Sequence, residues 1–83
     1  MLKQTGQSMR AYIVIATEAG KSRDVARLIA TLPGVNRADA CWGSRDVFAV
    51  VEVRDSQELN KLVLDKIQRL DGVRETNTHI ALD

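Results

Sequence analysis

One cysteine, one histidine, one proline and three aromatic residues are all that these 83 residues contain of those types. The lone Cys41 rules out an intrachain disulfide and a cysteine cage for a metal, so a reducing, cytoplasmic setting is expected. A single His79 cannot hold a metal unaided and the carboxylates show no ligand spacing, so neither metal nor cofactor is expected. Long apolar runs are missing too. The longest, residues 11–16, falls far short of the ~20 residues that cross a bilayer. The N-terminal lysine is followed by no apolar segment of the signal-peptide kind, and no membrane partner is expected. Charge of one sign is also lacking. Twelve Lys and Arg stand against eleven Asp and Glu, a net +1 scattered along the chain, which argues against direct DNA binding.

What is present is apolar patterning. A hydrophobic share of 45% suits one globular domain. A chain of this length buries roughly 60% of its unfolded surface and gains from a partner. The first eight residues are polar and aperiodic, and Met9 offers a second start. Residues 1–9 are therefore read as a leader or disordered tail, and 10–83 as the single domain.

Residues 10–17 are rich in β-formers and read as a strand. Val25, Leu28, Ile29 and Leu32 then fall at helical spacing, and Pro33-Gly34 stops that helix. Residues 36–42 read as a weaker strand and 46–53 as a strong one. A second helix opens at Asp55 or Ser56, with Glu58 completing a capping-box-like pattern. Leu59, Leu62, Val63, Ile67 and Leu70 form its apolar face, Asp71-Gly72 ends it, and residues 74–82 are the last strand.

The order βαββαβ contains a repeat: Leu32-Pro-Gly-Val35 and Leu70-Asp-Gly-Val73 occupy the same corner, 38 residues apart (72 − 34). Two βαβ halves joined by a hairpin describe an α+β, ferredoxin-like sandwich: a four-stranded antiparallel sheet with both helices on one face. The first and third strands are apolar on both parities, as central strands should be. The second and fourth carry Arg37 and Asp39, then Glu75, Asn77 and His79, as edges should. The helix-free face should meet water, yet its middle is apolar. Four strands at ~4.8 Å and seven residues at ~3.3 Å make roughly 400 Å², about the largest patch a monomer exposes. A homodimer packed through the sheet is expected, with Phe48 and Val50 central and Asp39, Asp46 and Glu52 around them.

The stretch Cys41-Trp-Gly-Ser-Arg-Asp46 joins the second and third strands. A two-residue loop with Gly first is a type II′ signature, which pairs Ala40 with Val47, Cys41 with Asp46 and Trp42 with Arg45. A turn alone explains Gly43 and Ser44. Cys41, with no base marked beside it, reads as a small hydrophobe, and His79 as a polar edge residue. Leu64 falls off the main face of the second helix and suggests a further contact between subunits.

Gly-x-x-Asp (Gly43 to Asp46) opening an apolar strand, then a helix, then Leu-x-Gly-Val-x-x-Thr-x-Thr-x-Ile-x-Leu over residues 70–82, resembles the Lrp/AsnC feast/famine regulators. The likeness is to their C-terminal effector-binding half, the RAM domain, and covers residues 10–83. Full-length members add an N-terminal helix-turn-helix, so the resemblance implies a stand-alone RAM protein. It also implies dimers formed through the sheet, further assembly into rings, and small effectors, commonly amino acids, bound between dimers. The implied ligand residues are Gly43, Ser44, Arg45 and Asp46 in the loop and Thr76 and Thr78 on the last strand. At Arg45 many members have an aromatic residue; an arginine there favours a carboxylate-rich ligand. Full-length Lrp/AsnC regulators are implied partners.

Three functions are expected as alternatives. The first is a non-enzymatic sensing and oligomerisation domain that modulates transcriptional regulation of amino acid metabolism. The second is a structural oligomerisation module with no ligand. The third is a small dimeric ferredoxin-like barrel enzyme, which requires a polar group between sheet and helices where this sequence is aliphatic.

Overall fold

A computed structural model describes residues 8–42 and 46–82. The elements are β1 (Met9–Thr17), α1 (Ser22–Ile29), β2 (Val35–Ala40), β3 (Asp46–Val53), α2 (Ser56–Asn60) running into a π-helical segment (Lys61–Ile67), and β4 (Val73–Ile80). The strands form one antiparallel sheet in the order β2-β3-β1-β4, the ferredoxin-like arrangement. The two strands with apolar residues on both parities are the central ones.

On the helix side, Ala11, Ile13 and Ile15 of β1 and Val47, Ala49, Val51 and Val53 of β3 are buried. They meet Val25, Ala26 and Ile29 of α1 and Leu59, Leu62, Val63 and Ile67 of the second helix. Among the described residues, Thr17 is the one buried polar side chain. The core between sheet and helices is otherwise aliphatic.

Local signals explain the ends of the second helix. Asp55 is extended (φ −158°) and its Oδ1 accepts the Glu58 N–H at 2.9 Å. The Glu58 carboxylate returns to the N–H of Arg54, also at 2.9 Å, one residue earlier than a standard capping box reaches. Beyond Asn60 the turns widen, and the Gln68 N–H bonds back five residues to the Val63 carbonyl at 2.8 Å.

The repeat holds at the level of hydrogen bonds. Gly34 and Gly72 adopt φ of 93° and 95°, which side chains rarely adopt and glycine adopts freely. The N–H of Val35 bonds Leu32, and that of Val73 bonds Leu70, each at 3.2 Å. The Gly34 carbonyl accepts the Glu52 N–H and the Gly72 carbonyl accepts that of Glu18, each at 2.8 Å. A bulge follows each corner, at Asn36 in β2 and Arg74 in β4. The strands repeat with an offset of 34 (52 − 18) and the corners with 38 (72 − 34), because the second helix is longer. From N-cap to last buried isoleucine it spans 12 steps (67 − 55) against 8 (29 − 21) in α1. The π-helical segment lies within the longer copy.

Two expectations change. Trp42 does not continue β2, which ends at Ala40, and it is 97% exposed. Leu28 does not join the buried stripe of α1. It is 48% exposed, and Ala26 takes the inward place on the other flank of the Val25–Ile29 ridge. Ala26 and Ala30 flank the hollow between α1 and the small residues Ala38 and Ala40 of β2. Close approach over alanines turns the helix toward β2 and Leu28 outward.

Candidate functional site

On the helix-free face Tyr12, Val14 and Ala16 of β1 lie beside Val50, Phe48 and Asp46 of β3. Tyr12 and Phe48 are 45% and 46% exposed at its centre. Ionic groups surround them. Arg37 donates to both oxygens of Asp39, at 2.9 and 3.3 Å, and this holds the Asp39 carboxyl below the usual carboxylate range. Arg10 lies 3.9 Å from Glu52, and Asn36 donates to Glu52 at 3.3 Å. Glu75, Asn77 and His79 line the β4 side, and His79 is an exposed edge residue. The result is an apolar centre inside a charged rim, as at a protein interface.

The sequence-predicted ligand residues are divided by the fold. Gly43, Ser44 and Arg45, with the proposed turn and the Trp42–Arg45 pair, lie outside the described residues. On either side, Ala40 pairs with Val47, and the Cys41 N–H reaches the Asp46 carbonyl at 3.3 Å. Asp46 is half-buried and shares a row with Ala16 and Glu75 on the helix-free face. Thr76 and Thr78 pair with Ile15 and Ile13, which point into the core, so both threonines lie on the helix side of β4. Thr76 and Thr78 are therefore together. Asp46 is two strands away, on the order of 10 Å, and on the opposite face.

Sequence reasoning missed Gln68. Its Nε2–H donates to Thr76 Oγ1 at 2.9 Å. The repeat contains the only signal for it: Gln68 falls 38 residues after Ala30 and Thr76 falls 38 after Ala38. Cys41 is half-buried at the β2 edge, its sulfur 4.0 Å from the Asp39 carbonyl, while His79 lies on the opposite edge of the sheet. Among the described residues no cluster of His, Cys, Asp or Glu has the makings of a metal site. No helix among them is long and apolar enough to cross a membrane. Leu64 is 53% exposed, off the apolar face of its helix.

The family model for the Lrp/AsnC ligand binding domain matches residues 10–83. The chain belongs to the Lrp/AsnC family. An HTH-type transcriptional regulator of Pyrococcus abyssi is 39% identical over 77 residues, covering 93% of this chain and 49% of its own. The Lrp/AsnC domain thus spans about half the length of the curated relatives it matches, and those relatives are transcriptional regulators. A crystallised protein of Thermus thermophilus superposes with a TM-score of 0.83 at 29% identity, over 90% of this chain and 94% of its own. A Neisseria meningitidis transcriptional regulator, crystallised as its L-Met complex, shares the fold. Its TM-score is 0.77 at 22% identity, over 90% of this chain and 50% of its own.

Proposed function

We propose that this Lrp/AsnC domain senses a small molecule, an amino acid, through assembly of its own copies, and so modulates transcriptional regulation of amino acid metabolism. The observation that carries the reading is the division of the predicted ligand residues. Asp46 and the pair Thr76 and Thr78 face opposite sides of the sheet. A ligand touching both groups is therefore held between chains. The half-exposed Tyr12 and Phe48 support a homodimer packed through the helix-free face, with higher, ring-like assembly bringing the Asp46 end of one dimer to the β4 edge of another. Gly43, Ser44 and Arg45, outside the described residues, are the remaining candidate ligand residues. Ligand at such a contact acts by linkage: it stabilises one assembly state by the difference in its affinity for the two. Full-length Lrp/AsnC regulators are candidate partners, and the cytoplasm is the setting. The amino acid bound by the N. meningitidis regulator, L-methionine, is a natural first ligand to try.

The test is a thermal-shift screen against the twenty amino acids, with mass measured by light scattering. A ligand at a hundred times its dissociation constant adds ~2.7 kcal/mol, or roughly 10–20 °C for a domain of this size. Phe48→Asp should reduce the assembly to monomers at micromolar concentration. A monomeric wild-type protein would refute the assembly reading, and a stable oligomer that no amino acid shifts would refute the sensing one.

A further inference from the structure

We propose that Gln68 is a positioning residue that holds the Thr76 hydroxyl as an outward-facing donor, so that the helix-side shoulder of β4 receives the carboxylate of the ligand. This rests on the sensing function proposed above.

The two halves of the chain provide an internal control. In the first half the hollow between helix and edge strand is lined by Ala26, Ala30, Ala38 and Ala40, together with Arg23, Arg27 and Asp39. Thirty-eight residues after those alanines come Leu64, Gln68, Thr76 and Thr78, and Leu64 is exposed where Ala26 is buried. The surrounding framework is alike in both halves. Val25 and Val63, Ile29 and Ile67 are all buried, and the glycine corners and bulges coincide. At the counterparts of Gln68, Thr76 and Thr78, alanine therefore suffices in the first half. Nothing in the packing calls for an amide and two hydroxyls in the second copy.

The hydrogen-bond direction gives those groups a polarity. A threonine hydroxyl has one proton and two lone pairs. Thr76 Oγ1 accepts from Gln68 Nε2–H at 2.9 Å, which leaves its own proton free to point elsewhere. Thr78 lies two residues on, on the same face and exposed. The two threonines stand ~6.8 Å apart along the strand, close enough for each hydroxyl, at ~2.7 Å, to meet one oxygen of a single carboxylate. Glu75, the one carboxylate in β4, is on the opposite face, so no acid of this strand opposes an anion there.

The π-helical segment aims the amide. Its wider turns wind less per residue than an α-helix. Over Lys61–Ile67 this rotates the residues beyond the segment by on the order of a third of a turn. Gln68 is the first of them, tied by its N–H to Val63, and its side chain arrives over β4.

L-Methionine binding, measured by titration calorimetry, tests this with Gln68→Glu, Thr76→Val and Thr76→Ser. A glutamate in place of Gln68 accepts the Thr76 proton and turns the donor inward. Gln68→Glu and Thr76→Val should weaken binding roughly ten- to a hundredfold, with assembly mass and unliganded melting temperature unchanged, while Thr76→Ser keeps it. L-Methioninamide, which lacks the carboxylate, should lose a similar factor on the wild-type protein. Unchanged affinity in Gln68→Glu, or equal binding of the amide, would overturn the proposal. If L-methionine does not bind, whichever of the other nineteen amino acids gives the largest thermal shift is tested with its own α-carboxamide. Should none of the twenty bind, the sensing reading fails by itself. The carboxylate seat is then decided by titrating acetate into ¹⁵N-labelled protein. Amide shifts at Thr76 and Thr78 that vanish in Thr76→Val support the seat, and their absence overturns it.

Discussion

The paired glycine corners allow a stability prediction with its own control. Gly34 and Gly72 share a backbone conformation, φ of 93° and 95°, so an alanine at either position is strained to the same degree. That strain is worth about 1–2 kcal/mol for a residue with a Cβ. Their surroundings differ. A Cβ on Gly34 would meet the Glu52 carbonyl and a Val53 methyl at 3.4 Å, an ordinary contact. A Cβ on Gly72 would come to 3.0 Å from Lys21 Cβ and 3.2 Å from Val25 Cγ2. Lys21 Cβ is fixed by the backbone at the start of α1, and Val25 is fully buried, so neither can swing away. Gly72→Ala must displace the first turn of α1, and overpacking of this kind costs typically 1–3 kcal/mol more. Gly34→Ala should therefore lose about 1–2 kcal/mol and Gly72→Ala about 2–5 kcal/mol. Against the ~4–12 kcal/mol that a domain of this size holds in total, the second is a severe loss. Urea denaturation at one fixed protein concentration reads the difference, with m values checked for equality. Equal losses, or a greater loss at Gly34, would refute both the packing argument and the asymmetry drawn between the two corners.

Asp55→Ala removes the acceptor for the Glu58 N–H and should lower stability by about 1 kcal/mol in the same assay, while Asp55→Ser should recover most of it. The exposed pair Lys21–Asp71, at 2.9 Å, sets an acid dependence. The hydrogen bond from Lys21 holds the Asp71 carboxyl below its ordinary value of about 4, so its contribution is present above that pH and is lost as pH falls through the lowered value. Asp71→Asn should flatten that limb of the stability–pH curve, and the flattening should shrink at high salt. A curve for the variant that superposes on the wild type would show that solvent already screens the pair.

Much of the fold was legible because each signal was local and redundant. Apolar residues on both parities marked β1 and β3 as central, Asp55 and Glu58 marked a helix start, and the Gly34 and Gly72 corners marked two ends. The misreadings share one cause: they depended on what lay opposite. Periodicity puts Leu28 on the apolar stripe, but the alanines of β2 decide which flank of that stripe is buried. Alternation carries through Trp42, but a strand lasts only as long as its partner pairs with it, and the β2–β3 register ends at Ala40 and Val47. The site was less legible than the fold. Its residues were named from a family pattern that runs along the chain, whereas the two faces of a sheet separate neighbours in that pattern. A polar residue just past a helix, such as Gln68, has no rule of its own, and only comparison with Ala30 distinguishes it.

The near-symmetry of the halves bears on how freely the β2–β3 hairpin can change. In the second half the strands that correspond to β2 and β3 are β4 and β1. These stay paired from Ala11 to Ile80, and the Ala81 N–H adds a bond to the Arg10 carbonyl at 2.8 Å, with no turn connecting them. One of the two equivalent seams of this sheet is therefore held without a covalent link. By the same logic the other should survive being cut. A circular permutant that begins at Asp46, ends at Trp42 and joins residue 82 to residue 8 through a short linker would keep every strand pair. The pairing of β2 with β3 is, on this account, sustained by the strands themselves, as that of β1 with β4 is.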